Sequence, residues 1–518
     1  MRDLANEYGA DGPHAVVVGA GLGGLAAAMR LGAAGWRVTV LDRLDVPGGR
    51  ASHITSRGHR FDLGPTIVTA PEVFRRLWRD CGRDFDADVT LKSLDPFYRI
   101  TWPDGSHFDA RAGHMDAEAE VARLSPGDVP GWRRFLDDAR RRYVVGYEGM
   151  LTEPMHQAWS TIRVLPAFAR LRADRSILSL ARSRVRDERL RMALSFHPLF
   201  IGGDPARVTS MYALVSHLEA KEGVHYAMGG VGAMAAAMAG VVADQGGTVR
   251  LGAEVAEVLL DEAGRAAGVS LSDGERIPAD IVVSNADALH TYARLLPGRS
   301  RWTRRRQART RLSMGLFVWY FGTAGTRDLW PEVGHHTIVS GPRYEGLLRD
   351  VFRRGRLAED MSLYVHRPSV TDPTCAPPGG DTFYALSPVP HLRHRDPVRW
   401  AEEGERYRAR MQAVLEERLL PGLGEHVIAS MTLSPEDFRD RYLSPHGAGF
   451  SVEPRILQSA WFRPHNVSEE APGLYLVGAG THPGAGLPGV VASAEVLMKV
   501  VPDVATVGAY ASIRQVAE

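Results

Sequence analysis

The run Gly19-Ala20-Gly21-Leu22-Gly23-Gly24 constrains the fold of this chain more than any other feature, because of what stands on either side of it. Ala15-Val-Val-Val-Gly19 reads as a short, buried parallel strand. Leu22 to Ala34 reads as an Ala/Leu-rich helix with Gly35 past its end, and Arg37-Val-Thr-Val-Leu-Asp42 as the next strand. In G-x-G-x-x-G each glycine has its own reason. Gly19 makes the tight turn, Gly21 lets the backbone approach a pyrophosphate, and Gly24 lets the helix lie close to the strand, with Gly23 inside the same turn. The phosphates then meet free N–H groups at a helix N-terminus. Asp42 ends the second strand 18 residues after Gly24, near the spacing of an acid that takes ribose hydroxyls, with Arg43 beside it. A bare glycine turn is the plainer alternative. Strand, helix and terminal acid together favour a dinucleotide site.

Two further segments ask for a long nucleotide. Pro47-Gly48-Gly49-Arg50-Ala51 and Phe61-Asp-Leu-Gly64-Pro65-Thr66 follow the first unit at once, and a second glycine-lined loop there suits FAD, whereas NAD alone would not require it. Arg50 is a charged donor for phosphate oxygens, or else a solvated loop arginine. Near the other end, Leu474 to Val477 reads as a strand, followed by glycines from Gly478 through Gly480 and Thr481 to Gly489, and by a helix from Val490. Two such segments far apart in sequence predict a discontinuous FAD-binding domain. Between them, Val249 to Val258 reads as strand, with Val255 placed to touch the adenine end, and Ile281 to Ala286 ends another buried strand. Gly229 to Gly232 opens an Ala/Met-rich helix, Leu316 to Phe321 is a strand and Ala401 to Leu420 a helix. No repeat or low-complexity linker divides these parts, so interleaved domains are expected.

Composition narrows the function. With 518 residues the chain is sized for roughly two or three domains. Its 62 Lys+Arg against 61 Asp+Glu, a net charge of +1, argue against nucleic acid as a partner. Cys81 and Cys375 form neither a disulfide framework nor a CxxC site, and fit a reducing compartment. HExxH and G-x-S-x-G are absent, and His335-His336 reads as a strand pair whose side chains point apart, so no metal site is expected. No run of 18 apolar residues predicts a membrane span, and Asp3, Glu7 and Asp11 are unlike a secretory segment, so a cytoplasmic address is expected. A chain without a span can still rest on one membrane face. Residues 113 to 222 are helical in pattern, and Ala169 to Arg191 holds eight arginines interleaved with Leu171, Ile177, Leu178, Leu180, Val185 and Leu190. That segment is a candidate for docking on anionic lipid, or a solvated helix face; Arg301 to Arg311 poses the same choice.

Over nearly its whole length the chain resembles the bacterial-type phytoene desaturases, FAD-dependent carotenoid desaturases. The resemblance rests on Val16 to Gly24, Pro47 to Ala51, Phe61 to Thr66, Pro96-Phe-Tyr-Arg99, Ser125-Pro-Gly-Asp128 and Ser195-Phe-His-Pro-Leu199. It continues through Ser284-Asn-Ala-Asp287, Gly341-Pro-Arg-Tyr344, Ser387 to His391, Phe450 to Pro454, Gln458 to Pro464 and Gly480-Thr-His-Pro-Gly-Ala-Gly486. It implies an α/β fold: a Rossmann-like FAD-binding domain of the glutathione reductase and amine oxidase type, a mixed-sheet substrate domain, and a helical, membrane-facing subdomain. The corresponding segments are 13–94 with 223–300 and 455–502; 95–130 with 301–454; and 131–222.

The implied activity is successive desaturation of phytoene to neurosporene or lycopene at the cytoplasmic face of a membrane. Hydride passes to non-covalently bound FAD, a proton is lost, and quinone or oxygen takes the electrons. Once hydride leaves an allylic carbon the cation spreads over the polyene, so a strong base is unnecessary. Glu453, His446, Arg163 and Asp437 lie in or near the shared motifs and are the candidates for the flavin cleft, or else buried, satisfied polar residues. A hydrocarbon substrate offers no polar handle, so its binding must come from an apolar tunnel. Alternatives are a desaturase of hydroxy- or methoxyneurosporene or of diapophytoene, a non-catalytic isoprenoid-binding protein of the same fold, and a flavin oxidase of polar substrates.

Overall fold

The side chains of Ala15–Val18 are all apolar, and a strand of that kind must be covered on both faces. In the computed structural model, which describes residues 12–296 and 301–507 and leaves aside the side chains of 301 and 302, this strand is the centre of a five-stranded parallel sheet. Asp3, Glu7 and Asp11 lie outside the described residues. The elements are β1 (His14–Val18), α1 (Leu22–Ala33), β2 (Arg37–Leu41), α2 (Gly230–Asp244), β3 (Thr248–Arg250), β4 (Ile281–Ser284), β5 (Leu474–Leu476) and α3 (Leu487–Met498). Strand order is β5-β4-β1-β2-β3. Val16 pairs with Val282 on one side and Thr39 on the other, and Val283 with Tyr475. Helix α1 is buried all round because α2 and α3 flank it.

A seven-stranded mixed sheet forms a second layer, with strands Val427–Leu433, Gly315–Thr323, Asp381–Val389, Leu363–His366, His336–Val339, Tyr98–Thr101 and His107–Ala110 in that order. Gly315–Thr323 is its longest buried strand, FVWYF at its heart, paired along its length with Asp381–Val389. Residues from 114 to 222 supply helices, among them Val129–Tyr143, Ala158–Arg170, Ile177–Arg182, Glu188–Ala193 and Leu214–Glu222. Among the described residues no helix is long and apolar enough to cross a membrane. Cys81 and Cys375 are both free.

Candidate functional site

The two glycine-rich turns from opposite ends of the chain meet at one side chain, Asn285. It follows β4, and its backbone N–H donates to Val18 O at 2.8 Å, which seats it beside the β1 turn. Its amide nitrogen donates to Gly19 O at 3.4 Å. A Cβ built on Gly21 would lie 2.7 Å from Asn285 Nδ2; one on Gly23 would lie 2.6 Å from its Oδ1 and 2.9 Å from Gly478 Cα. A Cβ on Gly478 would sit 2.5 Å from the same Oδ1. Glycine is required here because an amide and two backbones share the space. The sequence marked Asn285 only as part of a motif, and nothing in its spacing announces this role.

Around that junction a cavity of about 1030 Å³ opens. Its wall takes in Gly19, Gly21, Gly23, Asp42, Arg43, Gly49, Arg50, Gly64, Pro65, Thr66, Val255, Gly489 and Val490. Gly24 lies behind the wall, where α1 crosses β1: a Cβ there would stand 2.0 Å from Gly19 O. Gly480 and Thr481 are also behind it, with Arg463 donating from Nε to Thr481 O at 2.9 Å and from Nη2 to Ala479 O at 2.7 Å. Asp42 is buried, and its two oxygens accept from the N–H groups of Ala20 and Leu44 at 2.7 and 2.8 Å. Burial raises its carboxyl above the ordinary range, against those two hydrogen bonds and Arg43. Arg43 lies 3.3 Å from Glu254. Arg50 donates to Gly449 O at 2.6 Å; burial lowers its guanidinium from the usual value, opposed by Asp287. A half-buried cation facing a cavity beside a helix N-terminus suits a pyrophosphate.

The cavity continues into hydrocarbon. Leu316, Val318 and Leu386 of the second sheet, Phe200, and Val164, Leu165 and Phe168 of the helix Ala158–Arg170 line it. Tyr364 hydrogen-bonds Thr66 Oγ1 at 2.6 Å and packs edge-on to Phe200.

Four sequence expectations for the flavin cleft are corrected. Glu453, His446, Arg163 and Asp437 are not on the cavity wall. Asp437 closes a capping box with Ser434 at the start of the helix Pro435–Tyr442. His446 sits at φ 53° in the turn Pro445–Gly447, where its carbonyl accepts from Leu392 N–H. Arg163 is exposed on its helix. Glu453 is buried, and burial raises its carboxyl to about 7, opposed by Arg455. Nearness in sequence to the shared motifs did not carry these side chains to the wall.

The histidine pair is corrected as well. His335 precedes the strand, which begins at His336, so strand alternation does not separate them. Their rings are 4.5 Å apart, His366 Nε2 stands 3.1 Å from His335 Nε2, and one ring nitrogen from each of the three lies within 4.8 Å of the others. His336 Nδ1 is 3.0 Å from Phe97 O and His335 Nδ1 is 2.6 Å from Thr371 Oγ1. Burial pushes His336 down to about 4, and all three are neutral at pH 7.

The basic segment Ala169–Arg191 does not present an apolar face outward. Ile177, Leu178, Leu180, Val185 and Leu190 are buried in the core, while Arg172, Arg182, Arg184 and Arg189 pair with acids, Arg184 with Asp138 at 2.8 Å. Exposed large apolar side chains lie one segment upstream and across from it. Trp159 is 67% exposed with Ile162 and Leu165 on the same helix, and Leu457 is 69% exposed with Trp461 and Phe462 on the neighbouring turn. In the basic run 301–311, Arg306 pairs with Glu469 at 2.6 Å.

Comparison with known proteins agrees with this geometry. The sequence profile described as flavin containing amine oxidoreductase matches residues 22–495. The chain is 64% identical over 495 residues to a phytoene desaturase (neurosporene-forming) of Cereibacter sphaeroides, covering 95% of each chain. It is 44% identical to a phytoene desaturase (lycopene-forming) of a Paracoccus species, covering 94% of this chain and 96% of the relative. A wild-type putrescine oxidase structure with putrescine bound superposes with a TM-score of 0.57 at 17% identity, covering 96% of this chain and 99% of that one.

Proposed function

Because the chain belongs to the flavin containing amine oxidoreductases, and within them to the bacterial phytoene desaturases, we propose that it desaturates phytoene stepwise on a membrane surface, with neurosporene as its product. It is an FAD-dependent oxidoreductase. The observation that carries the substrate assignment is one continuous cavity that runs from the glycine junction at Asn285 to a wall of leucine, valine and phenylalanine. Neurosporene is favoured over lycopene by the higher identity to the neurosporene-forming relative, 64% against 44%.

The residues that would hold FAD fit it. Gly21, Gly23 and Gly49 present bare backbone to the cavity at the start of α1, where a pyrophosphate would lie, Arg50 supplies the cation, and the second lone pairs of Asp42 remain for ribose hydroxyls. Gly64 to Thr66, Val255, Gly489 and Val490 complete the wall, and Gly24, Gly480 and Thr481 support it from behind. Bound there, FAD supplies a hydride acceptor for an allylic C–H bond. The hydrocarbon wall excludes water and holds the polyene by burial, at roughly 25 cal/mol per Å² covered. Turnover then needs quinone or oxygen as the final acceptor. On this reading 13–94, 223–300 and 455–502 carry the cofactor, and 95–130 with 301–454 the substrate. The distribution of strands between the two sheets supports this division. Expression in cells that accumulate phytoene tests the function: yellow neurosporene is expected, red lycopene would move the product to four steps, and unchanged phytoene would overturn the reading.

The docking face on this reading is the helix Ala158–Arg170 with the turn Ala460–Phe462. Thr161, Val164, Leu165 and Phe168 of the one, and Phe462 of the other with the nearby Ile456 and Leu457, also line the cavity, so its apolar mouth opens where apolar side chains are exposed. Arg163 and Arg170, exposed on the same helix, suit an anionic headgroup layer. Changing Trp159, Ile162 and Leu165 together to Ser should lower binding to phosphatidylglycerol vesicles by about tenfold or more, since each large apolar side chain contributes about 1.5–3 kcal/mol when fully buried. Sedimentation with vesicles measures it, and unchanged binding would remove this face from consideration.

A further inference from the structure

A second, smaller cavity of about 290 Å³ is walled by six arginines. Arg141 and Arg142 come from the last turn of the helix Val129–Tyr143, and Arg170 ends the helix Ala158–Arg170. Arg172, Arg175 and Arg184 stand on turns at either side of the helix Ile177–Arg182. Arg142 is 3% exposed, and its guanidinium is held by neutral acceptors: Nη1 donates to Asp138 O at 3.0 Å, and Nη2 to Leu171 O at 2.5 Å and Ser210 Oγ at 3.3 Å. Its carboxylate partner, Asp138, stands 3.6 Å away and is shared with Arg184, which it meets at 2.8 Å. Asp138 is the only acid on the wall among the described residues.

The charges around this cavity do not balance. Arg172 pairs with Asp174 at 3.0 Å, and the side chains of Arg141, Arg170 and Arg175 are exposed with no ion pair or hydrogen bond among the described residues. Six guanidiniums thus have two carboxylates between them. Burial lowers the Arg142 guanidinium from its usual value; Asp138 opposes this, and Arg184 and Arg141 add to it by like-charge repulsion. A buried cation is stable only with a counter-charge, and here the chain supplies a shared one. Arginine forks match the oxygens of a phosphate group, whose negative charge would complete the balance.

Position selects the source of that phosphate. The helix that Arg170 ends is the one whose Trp159, Ile162 and Leu165 are exposed. Five residues separate Leu165 from Arg170, about 7.5 Å of helix rise, which is close to the depth of a headgroup layer. We infer that this cavity holds the phosphodiester of an anionic membrane lipid while the apolar side chains of the same helix enter the hydrocarbon beside it, an inference that rests on the docking face proposed above. Arg142 and Ser210 form the built part of the site, and Arg141, Arg170 and Arg175 are the side chains with donors to spare.

Sedimentation of the FAD-loaded protein with phosphatidylcholine vesicles, with and without about 30 mol% phosphatidylglycerol, tests this. Changing Arg141, Arg170 and Arg175 together to Gln should lower affinity for the phosphatidylglycerol vesicles by about 30-fold or more. A variant of equal charge, with Arg395, Arg399 and Arg406 changed to Gln, should stay within about threefold of wild type, because those exposed arginines line neither cavity. Equal falls in the two variants, or no fall in the first, overturn the inference. Wild type that binds both vesicles equally overturns it and leaves the docking face standing, and wild type that sediments with neither overturns both. Should the first variant fail to fold, modification of wild type by phenylglyoxal decides, read at each arginine by peptide mass mapping. Slower modification of Arg141, Arg170 and Arg175 with phosphatidylglycerol than with phosphatidylcholine alone supports the site, and unchanged modification overturns it. Equal protection by about 10 mM inorganic phosphate without lipid, at matched ionic strength, overturns the lipid assignment in favour of a free anion.

Discussion

A Gly24→Ala variant is expected to emerge from expression without bound flavin. The added methyl carbon would lie 2.0 Å from Gly19 O and 3.1 Å from Asn285 Cβ. Both obstacles belong to the glycine junction, and the closer one is backbone. No side-chain rotation relieves the contact, so α1 must back away from β1 by an ångström or more, carrying the N–H groups of its first turn out of line with the pyrophosphate. Overpacking of this kind costs about 1–3 kcal/mol even where side chains can yield. A fall in FAD affinity of about 100-fold, or 2.7 kcal/mol, is a lower bound for a shift that moves several phosphate donors together. The ratio of absorbance at the flavin band to that of protein, and titration of the apoprotein with FAD, give the answer. Stoichiometric flavin in the variant would show that the contact is relaxed by some movement other than that of α1.

The second large effect is expected far from the cofactor, at the buried pair Arg367–Asp381. Arg367 is 1% exposed and Asp381 0%, with Nη2 to Oδ2 at 2.9 Å. Asp381 also accepts from Ser369 at 2.6 Å and Thr326 at 2.8 Å, and Arg367 donates to the carbonyls of Trp330 and Val333. Asp381→Ala leaves a guanidinium buried without its counter-charge. Removing one partner of such a pair costs about 3–5 kcal/mol, far more than the intact pair contributes. Urea unfolding of the two proteins should show it as a lower midpoint, and coincident curves would dismiss the claim.

The pH dependence has a definite sign. Burial alone would raise the Asp381 carboxyl, but hydrogen bonds from Arg367, Ser369 and Thr326 outweigh it and hold the group below its ordinary value. A carboxyl lowered in the folded state stabilises above its unfolded pKa, and that contribution is lost as pH falls through the folded one. Wild type should therefore lose stability below about pH 4 more steeply than Asp381→Ala does. The consequence reaches the cavity, because Asp381 starts the strand whose Tyr384 and Leu386 line it.

What was legible in the sequence was whatever is encoded locally. β1, the glycine turn, α1, β2 and Asp42 are consecutive, and each constrains the next. The FVWYF strand announced itself by composition. Features assembled from distant positions were not legible in the same way. Asn285 earns its place only when two turns nearly 460 residues apart converge on it. The arginine-rich segment misled because periodicity shows that a helix has an apolar side without showing which way that side turns; here it turns inward. His335 misled because the alternation rule was applied one residue before the strand begins.

The meeting of Gly23 and Gly478 at Asn285 also sets an order of events during synthesis. Until β5 and α3 have left the ribosome, β4 has no outer neighbour, α1 lacks one of its two flanking helices, and the amide of Asn285 has only half of its surroundings. A nascent chain of 470 residues thus holds most of the contacts for the nucleotide yet cannot close around it, so cofactor capture waits for the segment that carries β5 and α3.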